Sequence, residues 1–418
     1  IYTCASGDKN MKQNPWETEN WFISLYNYSD EVRGKLKLPE KVSFHDITLR
    51  DGEQQAGVIL RKDDKIKIAR MLDEVGVSRI EAGMPAVSKE EMDAVKAIAS
   101  EGLNAKVFSF ARCMKTDVDL ALACDVDGVV MEIPSSDHLL KYAYGWTVEK
   151  AVKLSIEATR YAGEHGLHVA FFTIDSTRAK FDTFWGIIDS VATKGHMDSY
   201  VLVDTFGVCS PEATNYLVEE VMKRTDKTIE MHCHNDFGLA VANSLTGVMA
   251  GAKIVHTTVN GIGERSGNAA LEEVASALEV LYGVRTGIDF RKLRGLSKLV
   301  EELSLVKMPP HKPIVGDNTF TTESGIIAGW WDRASKAKRP LEVFPFAPHF
   351  LGFDKVNVAL GKGSGRASII YRLEELGLEI PSEEKLNQIL EKVKLLAEEK
   401  KRLLTNKEFK SIVEQLTP

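Results

Sequence analysis

The chain alternates between short apolar segments and charged amphipathic ones. From residue 42 onward, an apolar stretch is followed by a segment whose apolar residues recur every three or four positions, and this unit occurs eight times. The three-to-four spacing is typical of a helix with one buried face, whereas short apolar runs are typical of buried strands. The predicted strands are 42–49, 78–84, 105–111, 127–133, 167–174, 199–204, 228–234 and 253–259.

Alternating strands and helices predict a parallel sheet with the helices outside it. Eight units within about 240 residues favour a closed barrel, so we predict an α/β fold, a (β/α)₈ TIM barrel with a smaller, mainly helical C-terminal subdomain. No Gly-x-Gly-x-x-Gly motif follows the first predicted strand, which counts against a dinucleotide-binding fold. The clearest predicted barrel helices are Asp63–Val75, Lys89–Ser100, Val148–His165 and Pro211–Arg224.

The alternation stops after residue 285. A proline-rich connector follows at 307–318, and further helices are predicted at Thr322–Arg333, Ala367–Leu376, Glu383–Leu403 and 407–415. We therefore divide the chain into an N-terminal arm (1–40), a catalytic barrel (41–285), a linker (286–318) and a helical C-terminal subdomain (319–418). The arm carries the aromatic-rich cluster Trp21–Tyr26. Such a cluster indicates a surface that becomes covered, either against the outside of the main domain or in a subunit interface, and we predict a homodimer.

Composition narrows the class of protein. Hydrophobic residues make up 44% of the chain and charged residues 27%, as in soluble globular proteins. The net charge of −7 argues against nucleic acid as a partner. No apolar run approaches the ~18 residues of a membrane span, and no signal-peptide pattern opens the chain. The five cysteines contain no Cys-x-x-Cys pair, which favours a reducing compartment. We predict a cytoplasmic protein without membrane or nucleic-acid partners.

Two histidines one residue apart indicate a metal site. His232 and His234 end a predicted strand, and residues two apart on a strand point to the same side. Paired strand histidines also occur as hydrogen-bonded core residues. In barrels of this class the active site lies at the carboxyl ends of the strands, where neighbouring strands 1 and 8 lead into Asp51 and Asn268. Two imidazoles, a carboxylate and an amide suit a divalent ion with open positions.

Three segments carry a resemblance to a known family. Thr48–Gln54, His232–Asp236 and Gly261–Asn268 resemble the signatures of the metal-dependent acyl-CoA condensing enzymes and lyases. That family includes 2-isopropylmalate, homocitrate, Re-type citrate and citramalate synthases and 3-hydroxy-3-methylglutaryl-CoA lyase. Lys312–Asn318 and Gly361–Arg366 resemble the C-terminal subdomain of the synthases. The resemblance implies a Claisen condensation of acetyl-CoA, as co-substrate, with a 2-oxo acid, followed by release of CoA.

The same resemblance implies roles for individual residues. It places a divalent metal (Mn²⁺, Mg²⁺ or Zn²⁺) on a set of four ligands, namely Asp51, His232, His234 and Asn268. Arg50 takes the place of the catalytic arginine that steadies the developing oxyanion. Thr205 matches the threonine that contacts the oxo acid's carboxylate, and Arg112 is a candidate second anion clamp. Either direct contact with substrate or bracing of the site fits a further three residues: Glu53, Gln54 and Arg265.

The chain departs from the family pattern at the expected base. No histidine follows Ser324-Gly325-Ile326, and Gly363 stands where a histidine is common. His311 and His349 are the candidate replacements, although exposed loop histidines would give the same pattern. The base is therefore left open.

The fifth strand also departs from the synthase sequence Phe-Ser-x-Glu-Asp, since the chain has Phe171-Phe172-Thr173-Ile174-Asp175. Phe171 falls at the position that we match to the arginine that binds the distal carboxylate of 2-oxoglutarate in homocitrate synthases. This match disfavours homocitrate synthase and leaves 2-oxoisovalerate, oxaloacetate and others open, with Arg112 or Arg178 as binders for a second carboxylate.

Two alternatives compete with a synthase. A lyase of the hydroxymethylglutaryl-CoA type would need a reactive cysteine near the end of strand 8, and 256–268 contains none. A non-catalytic metal-binding scaffold would leave Arg50 and Thr205 without a role. We also expect the extra regulatory domain of the long leucine-pathway synthases to be absent.

Overall fold

The computed structural model describes residues 14–417, which fall into two compact units. The barrel unit comprises 30–309 and 313–315. The C-terminal unit comprises the described residues up to 29 together with 310–312 and 316–417. The predicted arm is therefore divided between the units at residue 29.

In the described chain, eight parallel strands close into a barrel in sequence order. Closure is made by the first and last strands, which pair from Ser43 with Ile254 to Asp46 with Thr257. The predicted (β/α)₈ fold is confirmed, and every predicted strand is present within a few residues. The strands are β1 Ser43–Asp46, β2 Arg79–Glu81, β3 Lys106–Arg112, β4 Gly128–Pro134, β5 His168–Ile174, β6 Ser199–Asp204, β7 Thr228–Cys233 and β8 Ile254–Thr257.

Apart from the four-residue helix at its start, the helices of the barrel unit each bury apolar residues. In the helix Lys62–Val75, for example, Ile68, Leu72 and Val75 are buried, and Gly76 ends it with a φ of 100°, a backbone conformation that favours glycine. The helices are α1 Asp30–Arg33, α2 Lys62–Val75, α3 Lys89–Ala99, α4 Lys115–Ala123, α5 Val148–Glu164, α6 Phe181–Lys194, α7 Pro211–Met222, α8 Ala240–Ala250, α9 Leu271–Ser276 and α10 Phe290–Ser304.

Helix α10 lies inside the segment 286–318 that the sequence predicts as a linker. Its buried residues Phe290, Leu293, Leu296 and Val300 follow helical spacing, and the Asp289 side chain accepts a hydrogen bond from the Arg291 backbone N–H. This part of the linker prediction is corrected, because the amphipathic period continues past residue 285. The other predicted domain boundaries stay predictions.

The C-terminal unit is mainly helical, with one short parallel strand pair, β9 Thr321–Thr322 and β10 Asn357–Val358. Its helices are α11 Gly325–Lys336, α12 Arg366–Glu375, α13 Glu383–Lys400 and α14 Asn406–Leu416. The last three share a core with Leu360 that includes Ile369, Ile389, Val393 and Phe409. In the arm, Trp21 forms a β-bridge with Phe346, and its ring centroid lies 5.5 Å from that of Phe350.

None of the described helices combines the length and apolar character needed to cross a membrane. Cys113, Cys124, Cys209 and Cys233 are free thiols, and Cys4 lies outside the described residues.

Candidate metal centre and barrel mouth

Asp51, His232 and His234 converge at the carboxyl ends of β1 and β7. The two Nε2 atoms lie 3.2 Å apart, and they lie 3.9 Å and 3.8 Å from Asp51 Oδ2. A point equidistant from the three atoms is about 2.1 Å from each, which is a usual metal–ligand distance. All three side chains are buried. The structure therefore brings together the three side chains that the sequence places in a metal site.

Asn268 completes this group. Its Nδ2 donates to Asp51 Oδ1 at 2.7 Å, while its Oδ1 is buried and has no hydrogen-bond partner among the described residues. Buried amide oxygens are rarely left without a partner, so an ion in this pocket would satisfy it. Gly263, with a φ of +151°, backs the pair, and a Cβ there would lie 2.2 Å from Asn268 Nδ2. The donor set fits a divalent metal.

Burial favours the neutral form of both histidines. Burial lowers the pKa of His232 well below its ordinary value, and the adjacent His234 lowers it further. Burial also lowers the pKa of His234, against the opposing charge of Asp51. A neutral imidazole keeps the lone pair that binds a metal. Cys233 between them is buried beside Ser244 of α8, as expected for a residue that points toward the helices.

Arg50 lies beside this pocket and faces into the barrel. Its Nη1 donates to Asp51 Oδ2 at 2.7 Å, its Nε donates to Glu81, and its Cζ lies 4.0 Å from the centroid of the Phe110 ring. Burial opposes the charged state, but Glu81 and Asp51 outweigh it and raise the pKa of Arg50. Its Nη2 is buried and has no hydrogen-bond partner among the described residues. A fixed cation with a spare donor can stabilise a developing oxyanion.

A charged network fills the barrel interior next to these residues. Glu230 Oε2 lies 2.8 Å from His256 Nε2, and its Oε1 accepts from Arg79 Nη1 at 2.8 Å. His45 stacks on His256 with ring centroids 4.5 Å apart. Burial lowers the pKa of His45 to about 4, and burial would raise the pKa of Glu81 but Arg50 lowers it to about 2. Paired charges of this kind fix the groups that carry the site.

Thr205 follows β6 at the same end of the barrel. Its Oγ1 accepts a hydrogen bond from the Asp175 backbone N–H at 2.7 Å, which leaves its own O–H to donate to a ligand. Its backbone oxygen accepts from Arg265 Nη2 at 2.6 Å, and Arg265 also forms a bidentate pair with Asp236. Arg265 thus ties together the loops that follow β6, β7 and β8.

The other two residues with open roles differ from each other. Gln54 Oε1 lies 3.4 Å from Arg50 Nη1 as an acceptor, so it borders the pocket. Glu53 accepts from the Leu60 backbone N–H and pairs with the buried Lys65 at 2.6 Å. Glu53 therefore braces the loop after β1.

Arg112, the last residue of β3, is half-exposed and forms a bidentate pair with Asp117 of α4 at 2.9 Å for both bonds.

The neighbouring strand β4 carries a charged residue, Glu132, to which the sequence alone assigned no role. Glu132 of β4 pairs in register with Arg112 and with Phe172 of β5. Glu132 is the one charged residue of the β4 sequence Gly-Val-Val-Met-Glu-Ile-Pro. An isolated charge in a buried strand indicates a polar contact, but it does not show whether the charge is paired.

The structure corrects the position of Phe171. Residues on a strand alternate between faces, and Ala170 and Phe172 belong to the interior cluster with Phe110 and Val130. Phe171 is buried on the other face, in register with Tyr200, whose ring lies 6.2 Å from Phe184 of α6. The Phe172 ring lies 5.0 Å from that of His232. Phe172, and not Phe171, therefore lies on the face of β5 that meets the site.

The remaining candidates lie elsewhere. Arg178 pairs with Asp175 through two hydrogen bonds and lies over the Phe206 ring. His311 and His349 belong to the C-terminal unit, where His349 Nε2 lies 3.2 Å from Asn20 Oδ1. Their role as a base stays a prediction.

Two protein-family models match this chain, one in each of the two units. The HMGL-like family model matches residues 41–300, and the homocitrate synthase post-HMGL domain-like model matches 314–401. The chain is 42% identical to homocitrate synthase AksA of Methanothermobacter thermautotrophicus over 90% of its own length and 93% of that protein. It is 43% identical to a probable 2-isopropylmalate synthase of Ignicoccus hospitalis, over 91% and 93% of the two chains.

A third relative, (R)-citramalate synthase CimA of Methanocaldococcus jannaschii, is 41% identical over 84% of this chain and 70% of that one. Among solved structures, a Bacillus subtilis HMG-CoA lyase aligns with a TM-score of 0.60 at 20% identity, covering 66% of this chain and 97% of the lyase. At that identity the alignment supports the barrel fold alone. Through its matched barrel and its relatives over most of its length, the protein is an enzyme of the HMGL-like family.

Proposed function

We propose that the protein is an acetyl-CoA-dependent 2-oxo acid synthase, which condenses acetyl-CoA with a 2-oxo acid and then releases CoA. The observation that carries this proposal is the buried pocket of Asp51, His232 and His234 beside the unpaired Nη2 of Arg50. The curated relatives, which are named as homocitrate, 2-isopropylmalate and citramalate synthases, support the same reaction class.

Each group in the pocket has a distinct task. Asp51, His232, His234 and Asn268 would hold a divalent ion, which when bound supplies a Lewis acid for a keto oxygen and its carboxylate. Arg50 donates from Nη2 to the oxygen on which negative charge develops. Thr205 offers its hydroxyl hydrogen to the oxo acid's carboxylate. Water that attacks the thioester after the new C–C bond has formed releases CoA and makes the sequence irreversible in practice.

The side chains that line the barrel interior next to the metal pocket favour an oxo acid with an apolar side chain. Phe110 and Phe172, with Ile174 and Met84 packed against them, form an apolar surface inside the barrel, and Phe172 lies next to His232. A distal carboxylate in this region would also face Glu132. Desolvating a charge against apolar side chains is costly. We therefore propose a branched or unbranched aliphatic 2-oxo acid, such as 2-oxoisovalerate, over 2-oxoglutarate, although similar relatives are named homocitrate synthases.

The test is a thiol-release assay with acetyl-CoA. The protein, freed of metal and reloaded with Mn²⁺, Mg²⁺ or Zn²⁺, is offered 2-oxoisovalerate, pyruvate, oxaloacetate and 2-oxoglutarate in turn. We expect free thiol with an aliphatic oxo acid, and none from Asp51→Ala under the same conditions. Thiol release with 2-oxoglutarate alone would refute the substrate class, and cleavage of a hydroxyacyl-CoA without any condensation would refute the synthase.

We also propose that the enzyme is a homodimer. Leu25 and Tyr26 of the arm are 52% and 70% exposed, and exposed apolar side chains side by side favour an interface. Light scattering should give the mass of two chains, and Tyr26→Glu should lower it to the mass of one.

A further inference from the structure

Glu132 lies near the carboxyl end of β4, on the strand face that lines the barrel interior. The alternation along β4 puts it on the same face as Val130, which belongs to the interior cluster. In register it lies between Arg112 of β3 and Phe172 of β5. The Arg50 guanidinium lies over Phe110, which pairs with Val130 one step lower on the same face. The Glu132 carboxylate is thus close enough to both arginines for each to affect its charge.

Most other buried or half-buried carboxylates near the strand ends are already engaged by a cation or by several N–H and O–H donors. Such pairs are Glu81 with Arg50, Asp117 with Arg112, Asp175 with Arg178, Asp236 with Arg265, and Asp204 with Thr177 and two backbone N–H groups. Asp46, at the end of β1, accepts from the Thr48 backbone N–H, and its Oδ2 has no partner among the described residues. Alternation from His45, which stacks on His256 inside the barrel, puts Asp46 on the outer face of β1, away from the site. Within the described residues, no hydrogen bond or ion pair is made by the Glu132 carboxylate. A free carboxylate facing a reaction space is available to accept a proton.

We propose that Glu132 is the general base that removes the proton from the acetyl group; this inference rests on the proposed synthase function. The C–H bond of the acetyl methyl breaks, its proton goes to a Glu132 carboxylate oxygen, and its electron pair forms the enolate C=C bond. The thioester oxygen takes the negative charge, next to the spare Nη2 of Arg50. The electron pair of the enolate C=C bond then forms the bond to the keto carbon while the thioester C=O bond re-forms. The π pair of the keto C=O bond moves to the keto oxygen, which takes a proton from water to become the hydroxyl.

The surroundings of Glu132 suit this task. Burial raises the pKa of Glu132 to about 7, Arg50 and Arg112 oppose the rise, and Asp117 and Glu81 add to it. Tyr144, from the turn that follows β4, also faces the carboxylate. A base whose pKa lies near neutral combines the ionised form with adequate proton affinity. Because only the ionised carboxylate accepts a proton, activity should rise as the pH rises through about 7.

The experiment compares wild type with Glu132→Gln and Glu132→Asp, and with Glu157→Gln as a control at an exposed carboxylate of α5. Three quantities are measured: kcat and KM for the oxo acid against pH, Mn²⁺ affinity by titration, and deuterium uptake into the acetyl methyl of acetyl-CoA in D₂O. We expect Glu132→Gln to lose about 100-fold or more in kcat and to lose deuterium uptake, with KM and Mn²⁺ affinity near wild type. Glu132→Asp should keep part of both activities, and Glu157→Gln all of them.

Three other outcomes would contradict the proposal that Glu132 is the general base. If Glu132→Gln keeps wild-type kcat and the same rise with pH, the base lies elsewhere while the synthase function stands. A fall in kcat matched by an equal fall in Mn²⁺ affinity would make Glu132 a positioning residue. If wild type releases no thiol with any oxo acid, the synthase function fails, and the base with it.

Discussion

Asn268 donates a hydrogen bond from Nδ2 to Asp51 Oδ1 at 2.7 Å, so a residue of the loop after β8 orients the carboxylate that follows β1. The other oxygen of Asp51 is thereby left for Arg50 and for the two histidines. The proposed metal pocket therefore depends on barrel closure, because the pairing of β1 with β8 brings the loops after these strands together.

Asn268→Ala should weaken metal binding. The substitution removes both the buried Oδ1 and the bond that orients Asp51, and loss of such a partner typically lowers metal affinity about 10- to 100-fold. Titration with Mn²⁺ measures the change. Asn104→Ala is the matched control, because Asn104 makes the same kind of bond to Asp73 on the exterior. Equal Mn²⁺ affinity in both variants would exclude Asn268 from the site.

Gly263→Ala should damage the same pocket by a different route. The added Cβ would lie 2.2 Å from Asn268 Nδ2 and 2.9 Å from Asp51 Oδ1, so both side chains would have to move. We expect loss of Mn²⁺ binding together with a fall in the free energy of unfolding. In Gly102→Ala the backbone is also left-handed but nothing lies within 4 Å, and this variant should lose only about 1–2 kcal/mol from backbone strain. Unchanged Mn²⁺ binding in Gly263→Ala would contradict the packing described for the pocket.

Phe172 and Phe171 provide a test of which face of β5 meets the substrate. Both are buried, so Phe→Leu at either position should cost about 1–2 kcal/mol of stability. Phe172→Leu alone should also change kcat/KM between 2-oxoisovalerate and pyruvate, by about tenfold, since reshaping an apolar pocket by a methylene or two has effects of that size. The comparison uses steady-state kinetics and urea unfolding on both variants. A change in selectivity in Phe171→Leu and not in Phe172→Leu would contradict the conclusion that Phe172 is the residue facing the substrate.

The periodicity of the sequence was sufficient to predict the barrel, because the spacing of apolar residues directly reflects which face of each element is buried. Eight apolar runs and the helical spacing between them located all eight strands of the described barrel. Periodicity alone was not sufficient for the end of the barrel unit or for the direction of individual side chains on β5. Helix α10 continues the amphipathic spacing beyond the last strand. Phe171 and Phe172 are adjacent apolar residues, so the sequence pattern does not show which of them faces the barrel interior.

The site was predictable where ligands are defined by residue type and spacing, as for Asp51, His232 and His234. The role of Glu132 could not be predicted in this way, because it depends on the absence of a hydrogen-bond or ion-pair partner for its carboxylate. That property follows from three-dimensional neighbours such as Asp117, which engages Arg112, and no sequence pattern encodes it.

The raised pKa of Glu132 predicts a pH-dependent stability difference between wild type and Glu132→Gln. Burial raises the pKa in the folded protein to about 7, above the ordinary value of 4.5 for a glutamate. Below about pH 4.5 the proton is bound in both states and the stabilising contribution of the neutral carboxyl is complete. As pH rises toward 7 the unfolded chain ionises first, so wild type loses stability while the glutamine variant does not.

Between pH 5 and pH 8, the free energy of unfolding of wild type should therefore fall relative to Glu132→Gln by on the order of 2–3 kcal/mol, since one pKa unit corresponds to about 1.4 kcal/mol. Urea unfolding of the metal-free proteins at several pH values measures this difference. Glu157→Gln removes the same charge at an exposed position and should show a much smaller change with pH. Parallel curves for wild type and Glu132→Gln would mean that Glu132 is fully hydrated in the folded protein, and a hydrated carboxylate would be too weak a base for the acetyl group.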